Sequence, residues 1–247
     1  AMIAERITDL LRTDGFVRVD AGTTAAALDE TARVAWQDFA ADWDGMPLDG
    51  FMADGGRYRR RRHAVLSTAP NLPGLRREAD APHWQARTHN HLNGGVQRRF
   101  EPMRPEATAH PAFQAVAGLA RSAFDAAEPG CAWQIEAHQF RIEARPDAEG
   151  RPTPEGMHRD GVEWVLVMLV RRENIAEGVT EIATPEGRRL GAFTLAEPLD
   201  MVLLDDRRVL HGVTPIRPLD PARPAWRDVL VVTFRCASIS PAMGHAS

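Results

Sequence analysis

Cysteine is nearly absent: the 247 residues include two, Cys131 and Cys236, at no metal-binding spacing. That excludes a cysteine-built metal site and a disulfide framework, and it predicts two free thiols in a reducing compartment. Long apolar runs are missing as well. The longest, Val162–Val170, is interrupted by Glu163 and has the length of a strand, far below the roughly 18–20 residues of a membrane span. There is no cationic surplus; the net charge is -4, against the many phosphate-neutralising cations that non-specific nucleic-acid binding needs. Glu5 stands where a signal peptide would begin its apolar core, so a cytoplasmic chain with neither membrane nor nucleic-acid partner is expected. No repeat, low-complexity tract or linker divides the chain. With 44% hydrophobic and 26% charged residues, one domain over 1–247 is the simplest expectation.

What is present divides into two halves, a helical and irregular one over 1–130 and a β-rich one over 131–237. Ile3, Ile7, Leu10 and Leu11 repeat at helical spacing until Asp14-Gly15. Phe16–Val19 alternates as a short strand, and Thr23 or Thr24 is placed to cap a helix from Ala25 to about Phe39. A third helix is expected over Pro111–Ala127, with Phe113, Val116, Ala117, Ala120 and Phe124 on its apolar stripe. Strands are expected at Ala132–Ala144, Glu163–Val170, Val179–Ala183, Arg189–Leu195, Met201–Leu204, Val209–Pro215 and Asp228–Cys236, with Pro-, Gly- and Asp-containing turns between them. This order gives an α+β chain whose C-terminal half is a jelly-roll type of double sheet.

Chemistry concentrates in the β half. On an extended segment His158 and Asp160 face the same way, with Cα atoms about 6.5–7 Å apart. His211 follows in the apolar strand Val209-Leu210-His211-Gly212-Val213. Two imidazoles and one carboxylate are what a mononuclear non-haem iron(II) site uses, leaving its opposite face open. Arg227 opens the apolar run Val229–Phe234, where a guanidinium needs an anionic partner. That partner is Asp228 or Asp206 in a structural pair, or a bound dianion; Arg217, Arg223 and Arg235 compete for the latter role. A rival metal pair, His89-x-His91, lies in a Gly-rich loop with no carboxylate at a suggestive spacing. In Arg57–His63, residues 57, 59 and 61 share one face of a strand. They form either a solvated basic edge or a guanidinium clamp for a substrate carboxylate.

Three stretches, 154–162 around His158-Arg159-Asp160, 204–216 around His211, and Arg227-Asp228-Val229-Leu230, resemble the bacterial 2-oxoglutarate/iron(II) dioxygenases related to L-isoleucine dioxygenase. Ala137–Ile142 and Gly55–Arg59 add to the likeness, which runs from about Gly15 to Ala237. The resemblance implies a double-stranded β-helix (jelly-roll, cupin-like) core with N-terminal and flanking helices. It also implies hydroxylation of a free aliphatic or related L-amino acid with release of succinate and CO2. His158, Asp160 and His211 would bind Fe(II), Arg227 the distal carboxylate of 2-oxoglutarate, and O2 would be the oxidant. Halogenating relatives lack the carboxylate ligand, so Asp160 points to hydroxylation. Arg141, Arg59 or Arg61 would anchor the substrate carboxylate, and Glu136 or Glu163 its ammonium. Two departures stand out: Glu177 where a second glycine before Val179 is usual, and Val229 where a Ser or Thr often assists the arginine. The alternatives are a cupin-like metal enzyme that does not use 2-oxoglutarate, and a non-catalytic jelly roll that binds an acidic ligand.

Overall fold

The computed structural model describes residues 2–237; the expected single domain extends to positions 1 and 238–247, which lie outside the described residues. The chain opens with helix α1 (Met2–Asp14), which ends where Gly15, at φ 79°, bonds its N–H to the Leu11 carbonyl. Strand β1 (Phe16–Val19) follows. The single helix expected over 25–39 is three short ones, α2 (Ala21–Ala27), α3 (Glu30–Val34) and α4 (Trp36–Ala41). Asp20 and Asp29 cap the first two, accepting from the amides of Thr23 and Ala32, and Leu28 between them is extended. A short carboxylate that can cap a helix start competes with continuation of the preceding helix.

After an irregular stretch come β2 (Arg59–Thr68), β3 (Arg76–Arg77), α5 (Pro105–Ala109) and α6 (Pro111–Ala127). The β half supplies β4 (Ala132–Ala144), β5 (Trp164–Glu173), β6 (Ile175–Glu177), β7 (Val179–Ala183), β8 (Arg189–Thr194), β9 (Met201–Asp205), β10 (Leu210–Val213), β11 (Ile216–Pro218) and β12 (Ala225–Ala237). The large sheet runs β1-β9-β5-β12-β4-β2-β3, and smaller sheets β10-β7-β8 and β11-β6 complete the jelly roll.

Period-two alternation gives the large sheet two unlike faces. Trp133, Ile135 and Ala137 of β4 and Leu230, Val232 and Phe234 of β12 pack against Phe113, Val116, Ala120 and Phe124 of α6 in the main core. The opposite face meets the smaller sheet β10-β7-β8 through Val165, Leu204, Ile182 and Val209, all buried. Between the two sheets this face is left open to a cavity.

The cysteines correct the expectation of free thiols: Cys131 and Cys236 are disulfide-bonded. The register of β12 on β4 sets Cys236 opposite Trp133, two residues from Cys131.

Candidate active site

Strand register writes the cavity wall as rows. Across β2, β4 and β12, Arg59, Ile142 and Arg227 are in line; next come Arg61, Phe140 and Val229, then His63, His138 and Val231. Glu136 and Thr233 continue toward the other end. All but His63 line the cavity. β2 is therefore an interior strand whose Arg59 and Arg61 are buried, not a solvated edge. Arg59 is bonded to buried Asp49, and Arg61 lies over Phe100 at 3.5 Å and donates to His138 Nδ1 at 2.8 Å.

At the mouth, a two-way backbone bridge holds His158 beside His211, with N–H···O distances of 2.9 and 3.0 Å and ring centroids 4.4 Å apart. Asp160 Oδ1 is 3.7 Å from His158 Nε2, and its Oδ2 is 3.5 Å from His211 Nε2. Asp160 Oδ2 is buried with no hydrogen-bond partner among the described residues. Two metal bonds of about 2.1 Å set their donor atoms roughly 3–3.5 Å apart, so these gaps suit one cation. His158 Nδ1 faces the Gly156 carbonyl at 3.0 Å, which orients the ring and directs Nε2 inward. Asp206 accepts from the backbone amides of Asp160, Gly161 and Val162, clasping the loop that carries Asp160.

The three side chains shift one another's titration. Burial would depress His158, but the hydrogen bond and charge of Asp160, with Glu155 behind, carry it up to about 9. Burial and the His158 charge push His211 down to about 4. Asp160 resists burial through the hydrogen bond from His158 and the charges of both histidines, at about 2. Burial, then the Asp160 charge, lift Asp206 to about 7.

Arg227 is 2% exposed and lines the cavity, and its Nε and Nη2 have no hydrogen-bond partner among the described residues. Neither structural pair is made. Asp228 binds Arg141 and Arg171, and Asp206 is occupied by amides. Burial and the neighbouring Arg172 push Arg227 down to about 10; Arg172 itself donates only to carbonyl oxygens of Leu195, Ile175 and Glu177. The rivals are engaged elsewhere: Arg217 with Glu149, Arg223 with Glu173, Arg235 with the Gly161 carbonyl. Val229 belongs to an apolar cluster with Leu169 and Leu195, so no hydroxyl from its own strand assists Arg227.

Two expected substrate residues are elsewhere. Arg141 has the wrong parity on β4; it points away from the cavity and binds Asp228 and Asp44 over the Trp226 ring. Glu163 precedes β5 and accepts from the Cys236 amide, outside the cavity. His89 and His91 join no cluster of possible metal ligands among the described residues. His89 lies against Gly161, where an added Cβ would approach its Nδ1 to 2.7 Å.

Sequence reasoning missed Asp206, Glu155, Gln85, Arg98 and the histidines 63, 83 and 138. Of these, the Glu136/His138 alternation on β4 was legible once the inward face was fixed by Ile142 and Phe140. Gln85, Asn90 and Arg98 arrive on a loop closed by the His83–Arg98 backbone bridge, and no periodicity announces them.

This fold, with a His-Asp-His set and a buried unpaired arginine, defines an oxygenase of the jelly-roll type. The chain belongs to the 2OG-Fe dioxygenase family, whose model matches residues 40–233. Among curated proteins it is 27% identical over 158 residues to 3(1)-hydroxy-L-isoleucine 4-dioxygenase of Pantoea ananatis, a match spanning 62% of this chain and 64% of that enzyme. Among solved structures, a bsmA homologue from Methylobium petroleophilum is 36% identical, with TM-score 0.85 and 95% and 93% of the two chains covered. An IDO from Bacillus thuringiensis has the same fold at 19% identity, TM-score 0.79, with 95% and 99% covered.

Proposed function

We infer that this dioxygenase hydroxylates a free L-amino acid, aliphatic or related, with His158, Asp160 and His211 holding Fe(II) and Arg227 holding 2-oxoglutarate. The observation that carries the inference is Arg227: a buried guanidinium beside a second cation, with two nitrogens that have no hydrogen-bond partner among the described residues, in the wall of the cavity that also holds the triad. Leaving such a charge unpaired is costly, and the distal carboxylate of a dianionic co-substrate relieves it. Bound together, iron, 2-oxoglutarate and O2 would supply the oxidising power to turn a C–H bond into C–OH, with succinate and CO2 released.

The protein residues position and insulate. The bridged histidines and the Asp206 clasp hold together the three donors that would bind the metal. Val167, Val213, Val229 and Val231 make an apolar lining beside them. The relative that carries the amino acid class is the Pantoea enzyme, and Arg59, Arg61 and Glu136 line the cavity where such a head group would sit. The test begins anaerobically with Fe(II) and 2-oxoglutarate, looking for the metal-to-ligand charge-transfer band. Air is then admitted with a panel of free amino acids and succinate is measured. A band with amino-acid-dependent succinate is expected; a cupin-like enzyme without 2-oxoglutarate gives no band.

A further inference from the structure

A second cluster of metal-type side chains lies on the same cavity face: His63, His83, Glu136 and His138, with one donor atom from each within 4.8 Å of the others. It differs from the triad in its spacings. His63 Nε2 and His83 Nδ1 approach Glu136 Oε2 to 2.7 and 2.5 Å, which are hydrogen-bond distances and too short for two ligands of one cation. The Arg61 guanidinium, 2.8 Å from His138 Nδ1, also repels a cation there. The cluster is a hydrogen-bonded cradle for a carboxylate. Both imidazoles hold one oxygen of Glu136, while the side chain remains one-third exposed toward the cavity.

Beside it are cations with unused valence. Arg61 and Arg98 are 4% and 2% exposed, and the Nε of each is buried without a hydrogen-bond partner among the described residues. Both line the cavity. Arg59 is ion-paired with Asp49, to which its Nε donates at 2.8 Å.

We propose that Glu136, oriented by His63 and His83, receives the ammonium of the substrate, while Arg61 and Arg98 receive its carboxylate. This rests on the dioxygenase reading above and narrows it to ligands with a free α-ammonium and a free α-carboxylate. Charge balance makes the choice. Leaving the imidazoles out of the count and setting aside Arg235, which is solvent-exposed, the buried part of the wall offers Arg59, Arg61 and Arg98 against Glu136, Glu155 and the Asp49 that lies behind Arg59, three positive and three negative. Iron(II), the 2-oxoglutarate dianion, Asp160 and Arg227 also sum to zero. A zwitterion keeps the closed site neutral, whereas an amine or an N-acylated amino acid buries an uncompensated charge.

The test uses enzyme loaded anaerobically with Fe(II) and 2-oxoglutarate, so that the charge-transfer band reports co-substrate binding independently of the head group. The best amino acid of the panel is compared with its N-acetyl derivative and its decarboxylated amine. Only the amino acid should perturb the band and, in air, accelerate succinate release. Glu136→Gln should raise the KM for the amino acid roughly 10- to 100-fold, the scale of a charged hydrogen bond, with 2-oxoglutarate binding little changed. His83→Phe should raise that KM, and His83→Gln, which keeps an N–H donor, should recover most of it. If Glu136→Gln fails to fold, the three-compound comparison on the native enzyme still decides. Equal turnover of the N-acetyl compound or the amine overturns the assignment, as does an unchanged KM in Glu136→Gln with the loss appearing in Glu155→Gln instead. Absence of the band in native enzyme would instead refute 2-oxoglutarate use, and this assignment with it.

Discussion

At the residue scale the site is defined by valences left open. Asp160 Oδ2 and two nitrogens of Arg227 are buried without hydrogen-bond partners among the described residues. His158→Ala or His211→Ala is expected to abolish succinate release and to remove high-affinity Co(II) binding, read by calorimetry; retained turnover in either would move the metal elsewhere. Arg227→Ala should raise the KM for 2-oxoglutarate about 100-fold, since a bidentate charged pair is lost. Arg227→Lys should recover only part, because an ammonium lacks the planar fork. An unchanged KM would return the role to Arg217 or Arg223. Glu136 adds a pH signature. Burial would raise it, but the hydrogen bonds from His63 and His83 hold it below the ordinary carboxylate range. A depressed folded-state pKa gives stability that is present above the unfolded value near 4.5 and lost as pH falls below it. The melting-temperature gap between native enzyme and Glu136→Gln should therefore be widest near pH 7 and narrow below pH 4.5. A gap independent of pH would mean that the charge of Glu136 does not matter to the fold.

At the scale of elements, periodicity was a good guide where one face was buried. Pro111–Ala127, Ala132–Ala144 and Val179–Ala183 follow from their patterns because each presents a continuous apolar face to a partner. The pattern is silent where ends and turns decide. Ile175–Glu177 and Ile216–Pro218 pair with each other across three registers, too short for a period to show. The helix expected over 25–39 broke because side-chain caps at Asp20 and Asp29 outweigh the good helix formers between them. The metal ligands were legible since one segment carries two of them; the head-group wall was not, because its members come from β2, β4 and a loop whose closeness is set by register. Glu177 joins sequence and structure most directly. It stands where glycine is usual, and its φ is 66°, a left-handed conformation costing a non-glycine residue about 1–2 kcal/mol. Glycine gives back roughly 0.5–1 kcal/mol through its unfolded-state freedom. Glu177→Gly should therefore raise stability by up to about 1 kcal/mol, or roughly 2–4 °C in melting temperature for a chain of this size. A clear loss of stability would mean that the exposed Glu177 side chain makes a contact worth more than the backbone relief.

At the scale of the whole molecule, the large sheet separates support from chemistry: helices cover one face, and the cavity opens on the other. All 30 basic side chains are arginine, so none loses its charge in the physiological pH range and the ion pairs around the cavity are set by geometry. The Cys131–Cys236 bond closes a 105-residue separation by joining the start of β4 to the end of β12. The expectation of free thiols failed because sequence spacing carries no sign of the β4–β12 register that brings these residues together. A cross-link of this span restricts the unfolded chain and typically contributes about 2–4 kcal/mol, so its loss should lower the melting temperature by roughly 5–15 °C. Cys131→Ser and Cys236→Ser should each show that drop, and a reductant should produce it in native protein while leaving both variants unmoved. Arg227 lies near the opposite end of β12 from Cys236, with the fully buried Leu230, Val232 and Phe234 between them. The KM for 2-oxoglutarate should therefore stay constant across oxidised, reduced and substituted forms below their melting temperatures. Two titratable thiols in native protein, with a melting temperature insensitive to reductant, would show that the sulfurs are not bonded. A KM that rises on reduction would show instead that the bond sets the position of Arg227 along the whole strand.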